Sequence, residues 1–153
     1  EGYKRQQVAI GTSTLARKSS AREGVERNKL LKVEAMFVDI IKNREEGSTT
    51  DYDDKALSPY LFQWDTQNRV KPESNEGQAY IHQTQTMLLF VREQKNFVED
   101  KTRTMGYVYL GRVTLSDWEY KNLGNRMQMQ IRWNMVEPIP GSVMHFARMK
   151  EIA

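Results

Sequence analysis

The chain reads as a β-rich α+β domain, a meander or half-open barrel with one or two short helices. Three observations carry this. Met127, Met129, Ile131, Trp133 and Met135 alternate with Gln128, Gln130, Arg132 and Asn134, the period of a strand with one apolar and one solvated face. The run TMLLFVRE, residues 86–93, is almost continuously apolar before its charged end, as in a strand buried on both faces. Lys71-Pro72 stops an extended stretch, and Ser74 or Asn75 follows as a helix cap, so a helix is expected from there to about His82.

In chain order, residues 1–28 are basic and rich in Ser, Thr and Gly. They read as a flexible lead-in, and residues 29–153 as a single domain. LLKVEAMFVDII, residues 30–41, is β-branched and apolar, a first strand. Residues 44–59 form a polar loop ending at Pro59, and LFQWDT, residues 61–66, is a short strand. After TMLLFVRE, a charged connector (94–106) leads to the strand YVYLGRVTL (107–115). A further short strand lies in SDWEYKNLGN (116–125), and the alternating strand follows. EPIPG ends that strand, and SVMHFARMK, residues 142–150, is a closing helix.

The totals bound the function. At 153 residues the chain is sized for one domain. Its mean hydropathy is -0.73, yet seven Tyr, five Phe and three Trp argue for a packed core. Cysteine is absent, which excludes disulfides and thiolate metal sites and fits a cytoplasmic setting. No apolar run reaches the length of a membrane span, so no membrane partner is expected. Glu1 rather than Met stands first, as in a piece of a longer protein. The net charge of +3 is modest, but most of the excess lies in Lys4, Arg5, Arg17, Lys18, Arg22, Arg27, Lys29 and Lys32. A basic segment of this kind suits phosphate backbones.

Common reaction signatures are poorly represented. Gly11 to Ser20 lacks the second Gly and the Gly-Lys-Ser/Thr order of a phosphate loop. His82 and His145 are the only histidines and have no paired spacing. Asp51, Asp53 and Asp54 lack the Gly and terminal Glu of a calcium loop. No cofactor or metal is therefore expected, and no enzymatic activity of the isolated chain. The alternative is a metal-dependent nuclease, with Asp65 upstream of Glu93-Gln94-Lys95 as a carboxylate-x-Lys pair. A third reading is a protein-interaction module.

The aromatic and polar side chains favour recognition instead. Phe62 and Trp64 share a strand face, as do Tyr107 and Tyr109. A flat ring stacks on a base while amide and guanidinium groups read its edge. The candidate nucleic-acid contacts are Trp64, Gln67, Arg69, Ser74, Gln78, Arg92 and Tyr109. Ser74 stands at a helix N-terminus suited to a phosphate, and Arg92 is placed for a bidentate contact.

An ordered set of motifs spans roughly residues 30–141. It comprises Leu61-Phe62-Gln63-Trp64, Thr66-Gln67, Pro72-Glu73-Ser74, Gly77-Gln78, Tyr80-Ile81, Leu88 to Glu93, Tyr107, Leu110-Gly111 and the segment IRWNMVEPIPG. This set resembles a bacterial domain family found at the C-terminal end of superfamily 2 (DEAD/DEAH-box) helicases. Many of those proteins also carry a phospholipase-D-like nuclease domain. The resemblance departs around 94–104 and 114–125 and does not reach residues 1–28. It implies a module of a restriction-type or phage-defence protein, with the rest of a helicase polypeptide and DNA as partners, and it implies no catalytic residues. Together with the aromatics it points to non-catalytic recognition of DNA, including a modified or flipped base. The analogy is with PUA-like folds.

Overall fold

The computed structural model describes residues 24–41, 54–67, 70–94, 99–100, 102–103, 105–122, 124 and 127–148. Its described strands are β1 (Val25–Asn28), β2 (Val33–Asp39), β3 (Lys55–Ser58), β4 (Leu61–Asp65), β5 (Thr86–Arg92), β6 (Val108–Asn122) and β7 (Met127–Met135). They form one seven-stranded sheet in the order β1-β2-β5-β6-β7-β4-β3, which does not close on itself. Every pairing is antiparallel except β2 with β5. Among the described residues two short helices accompany the sheet, α1 (Asn75–His82) and α2 (Gly141–Ala147). The expected α+β class holds, with β5, β6 and β7 as its meander. No described helix is long and apolar enough to cross a membrane.

Strand β5 is buried on both sides, and each side belongs to a separate apolar cluster. Met87, Leu89 and Val91 face the main core with Val25, Met36, Val38, Phe62, Trp64, Ile131 and Trp133. Phe90 and Leu88 face the other way, with Ala35, Phe37 and Tyr107. Both helices lie on the first face. Tyr80 of α1 meets Trp64 edge-on at 5.4 Å and Trp133 at 6.3 Å between ring centroids, and α2 buries Val143 and Ala147.

The Pro-Glu-Ser-Asn-Glu-Gly-Gln stretch is legible as a helix start. Ser74 Oγ accepts a hydrogen bond from Gly77 N at 3.1 Å and donates one to the Lys71 carbonyl at 2.6 Å. Gln78 Nε2 donates to the Pro72 carbonyl at 2.8 Å. Gly77 is packed so tightly against this turn that a Cβ would collide with the Lys71 carbonyl oxygen and come within 2.9 Å of that of Pro72.

Several boundaries differ from the sequence reading. Residues 25–28, assigned to the lead-in, form β1 and pair with β2 in the register Val25↔Met36 to Asn28↔Val33. The expected first strand begins at Val33 rather than residue 30. Asn28 Oδ1 accepts from Leu31 N at 3.0 Å, so Leu30 and Leu31 fall in a turn. The polar loop before Pro59 contains β3. The two strands expected over 107–125 are one strand of 15 residues, bent at bulges near Gly111 and Ser116. The polar side of β7 is only partly solvated: Gln128 and Gln130 are 2% and 3% exposed, whereas Asn134 is exposed.

Two substitutions test this packing in urea unfolding. Trp64→Ala removes a ring from the main core, at an expected cost of about 3–5 kcal/mol. Gly77→Ala forces α1 off the Lys71-Pro72 turn and destabilises by about 1–3 kcal/mol. Wild-type midpoints in both variants would contradict the packing described.

Candidate nucleic-acid interface

Of the seven nominated residues, the structure turns Trp64 inward. It is 4% exposed, on the helix-covered face, so its ring has no free surface for a base. The reason is strand phase: Trp64 lies directly opposite Ile131, on the apolar row of β7. Ser74 is the cap of α1 and Gln78 braces the same turn, while the Gln78 amide oxygen meets His82 Nε2 at 2.9 Å. Gln67 is half-buried beyond the end of β4, and Arg69 lies outside the described residues.

Arg92 is also a structural residue. Its Nε and Nη2 donate to the two carboxylate oxygens of Asp39 at 2.5 and 3.1 Å. Its Nη1 donates to the Met105 carbonyl at 3.1 Å, and its guanidinium lies 4.2 Å from the centre of the Tyr107 ring. Tyr107 in turn donates its hydroxyl to Asp39 Oδ1 at 2.9 Å. Arg92 is buried, and these contacts commit the guanidinium within the fold.

Tyr109 is the nominated residue that reaches solvent with a large flat surface, being 44% exposed. It ends an aromatic ladder that crosses three strands on the second face. Phe37 of β2 stacks on Phe90 of β5 at 5.2 Å, and Tyr109 of β6 lies tilted against Phe90 at 4.8 Å. Arg112, which the sequence reading did not single out, sits on the same face. Tyr109 pairs with Phe90 and Arg112 with Leu88, and both partners face the second cluster. Residues three apart on a regular strand point to opposite faces. Here the bulge at Leu110-Gly111 re-phases the strand, with Gly111 at φ +99, a conformation suited to glycine. Arg112 is exposed and makes no ion pair among the described residues. The signal in the sequence was Leu-Gly within a strand, a mark of a bulge.

Farther along this face the polar side chains satisfy one another. Gln130 Nε2 donates to Asp65 Oδ1 at 2.9 Å, and Asp54 Oδ1 accepts from Asp65 N at 2.7 Å. Arg132 pairs with Asp117 and with Glu119. The hydrogen bond that Arg132 donates holds the Glu119 carboxyl below its ordinary value, and donating to Asp117 and Glu119 raises Arg132. Arg132 is therefore neutralised in place, whereas Arg112 is exposed and has no ion-pair partner among the described residues.

The nuclease constellation does not assemble. Asp65 pairs with Gln130, five steps below Met135 on β7. Met135 pairs with Val113, which pairs with Met87, and Glu93 lies six steps above Met87. The two carboxylates are thus on the order of 30 Å apart along the sheet. Lys95 lies outside the described residues.

The family model described as "Domain of unknown function (DUF3427)" matches residues 1–146. The chain belongs to this family. No curated protein matches it. The match covers the whole described sheet, α1 and all but the last residue of α2, so the features above are features of a DUF3427 domain.

A second buried ion pair lies on the first face. Arg27 Nε donates to Glu34 Oε1, its register partner on β2, and Arg27 Nη2 approaches the Tyr80 hydroxyl at 3.3 Å. Glu34 Oε2 is buried, and the Tyr80 hydroxyl adds to the contacts of this carboxyl. Burial raises the Glu34 carboxyl above its ordinary value despite Arg27, and it raises the Tyr80 phenol as well, with Glu34 adding to that shift.

The two pairs give two predictions. Asp39→Ala strands the buried Arg92 cation and should cost about 3–5 kcal/mol in chemical unfolding. A raised folded-state pKa for Glu34 means that its stabilising contribution is complete below pH 4.5 and is lost as pH rises above that value. The stability difference between wild type and Glu34→Gln should therefore move against wild type between acidic and neutral pH. A pH-independent difference would refute the assignment.

Proposed function

We propose that this domain recognises nucleic acid without cutting it, DNA in particular, as a module of a helicase-containing, restriction-type defence protein. The observation that carries the reading is the pairing of exposed Tyr109 with exposed Arg112 on the second sheet face. A ring lying on a sheet offers a stacking platform for a base, and a neighbouring guanidinium adds a phosphate contact or a second stacking plane. The basic residues Lys4, Arg5, Arg17, Lys18 and Arg22 supply sequence-independent attraction to the backbone. The helicase setting rests on the resemblance of the Phe62-Gln63-Trp64, Pro72-Glu73-Ser74 and Leu88–Glu93 motifs. Those motifs mainly build core, cap and ion pair, so they support kinship of fold, and Tyr109 with Arg112 supports the contact.

Fluorescence anisotropy with labelled single- and double-stranded oligonucleotides tests the reading over a range of salt concentrations. Tyr109→Leu keeps apolar cover over Phe90 and removes the stacking ring. It should weaken binding by about 1–3 kcal/mol with little change in melting temperature. Arg112→Ala should weaken all sequences alike and reduce the salt slope by about one counterion. Variants that bind like wild type would remove this surface from the interface. A wild-type chain that binds no oligonucleotide at low salt would leave the protein-docking alternative in its place.

A further inference from the structure

The β1–β2 turn is unusual in what it shows to solvent. It reads Lys29-Leu30-Leu31-Lys32, and its leucines are 76% and 62% exposed, the highest values among the large apolar side chains described. Both lysines are exposed too. The turn is tied on each side: Asn28 Oδ1 accepts from Leu31 N at 3.0 Å, and the Lys32 carbonyl accepts from Thr86 N at 2.7 Å. Lys32 adopts φ 54, a left-handed conformation that costs a side-chain-bearing residue energy and persists where its surroundings impose it. Two leucines are thus held out in water on a braced hairpin, each with a cation beside it.

We propose that this tip is a wedge for a nucleic-acid base stack: Leu30 and Leu31 enter at a base step, and Lys29 and Lys32 hold the flanking phosphates. The proposal rests on the nucleic-acid reading above and assigns it a second contact. An apolar side chain gains from leaving water only where an apolar slot exists, and the flanking lysines require that slot to be bordered by anions. A base step meets both conditions, with apolar ring faces inside and phosphates on each side. Pyrimidine–purine steps open most easily.

The placement fits a shared footprint. Lys32 precedes Val33, which pairs with Thr86, and Arg112 lies across Leu88 from Ala35. The tip and the Tyr109–Arg112 surface are then on the order of 20 Å apart or less across β2, β5 and β6, about six base pairs of duplex. Two leucines and two lysines make a small lipid anchor, since stable membrane attachment generally takes a larger apolar insertion or a second signal.

The test uses the full chain and short duplexes of successive TA steps with 2-aminopurine replacing one adenine. That base brightens when it is unstacked. Wild-type binding should raise its fluorescence. Leu30→Ser/Leu31→Ser, changed only at exposed positions, should keep the wild-type melting temperature, lose the rise in fluorescence and bind more weakly by anisotropy. Tyr109→Leu should weaken binding yet retain the rise at saturation. If wild type binds without brightening the probe, or the double variant brightens it equally, the wedge is overturned while the nucleic-acid reading stands. Absence of any binding overturns both. Binding to anionic phosphatidylserine vesicles that the double variant loses, in a chain that ignores DNA, would reassign the tip to lipid.

Discussion

Strand β2 is pinned in the sheet by two arginine–carboxylate pairs, one on each face, and the remaining architecture follows from that constraint. Glu34 and Asp39 are five residues apart, so they point to opposite sides of the strand. Each lies directly across from an arginine of a neighbouring strand, Arg27 of β1 and Arg92 of β5. A one-residue slip at either interface would separate a carboxylate from its cation in a largely dry environment, at a cost of several kcal/mol. Hydrophobic burial fills both faces, but aliphatic rows tolerate a shift of two residues. The ion pairs do not, which makes Arg27–Glu34 a source of register for β1 on β2 and Asp39–Arg92 one for the parallel β2–β5 contact. That contact is the one parallel pairing between the described strands, and a long crossover carrying β3, β4 and α1 leads into it.

Once β2 and β5 are in register, the faces diverge in character. The first face takes the helices and the large aromatics Trp64, Tyr80 and Trp133. It closes Glu34 under a phenol and a guanidinium. The second face has no described helix. Its apolar cluster is held at the top by the Asp39–Arg92–Tyr107 network and thins toward Tyr109, where the ladder of rings reaches water. The same network that fixes β2 against β5 therefore also supports the surface on which Tyr109 is displayed.

Much of this was legible in the sequence. The alternation in β7, the doubly buried run in β5 and the Pro72–Ser74 helix start each follow from a local period or cap, and each element forms where expected. What was hidden depends on tertiary context. Leu30 and Leu31 look like the start of a strand because they are apolar, but the Asn28 side chain closes a turn around them. Gln128 and Gln130 look solvated because they are polar, yet both are buried, where the Gln128 amide nitrogen donates to the Thr66 carbonyl and that of Gln130 to Asp65. The candidate site suffered from the same blindness. A motif rich in Trp, Ser, Gln and Arg reads as a binding surface, whereas Trp64 is core, Ser74 a cap, Gln78 a brace and Arg92 half of an ion pair. Chemical variety in a motif does not distinguish a ligand's contacts from the fold's own.

Glycine at position 111 links the two problems. Its positive φ permits the bulge that bends β6, and the bulge shifts the phase of the strand by one residue. Leu110 and Val113 can then both face the core while Tyr109 and Arg112 both face away. On a regular strand one member of each couple would be misplaced, either a leucine or valine in water or an arginine in the core, and burying an unpaired guanidinium would cost far more than exposing a leucine. The bulge thus lets a single strand contribute two residues to the interior and two to a surface at odd spacing. A side chain at position 111 would strain the left-handed backbone and would dismantle the Tyr109–Arg112 surface through the backbone, without touching either side chain.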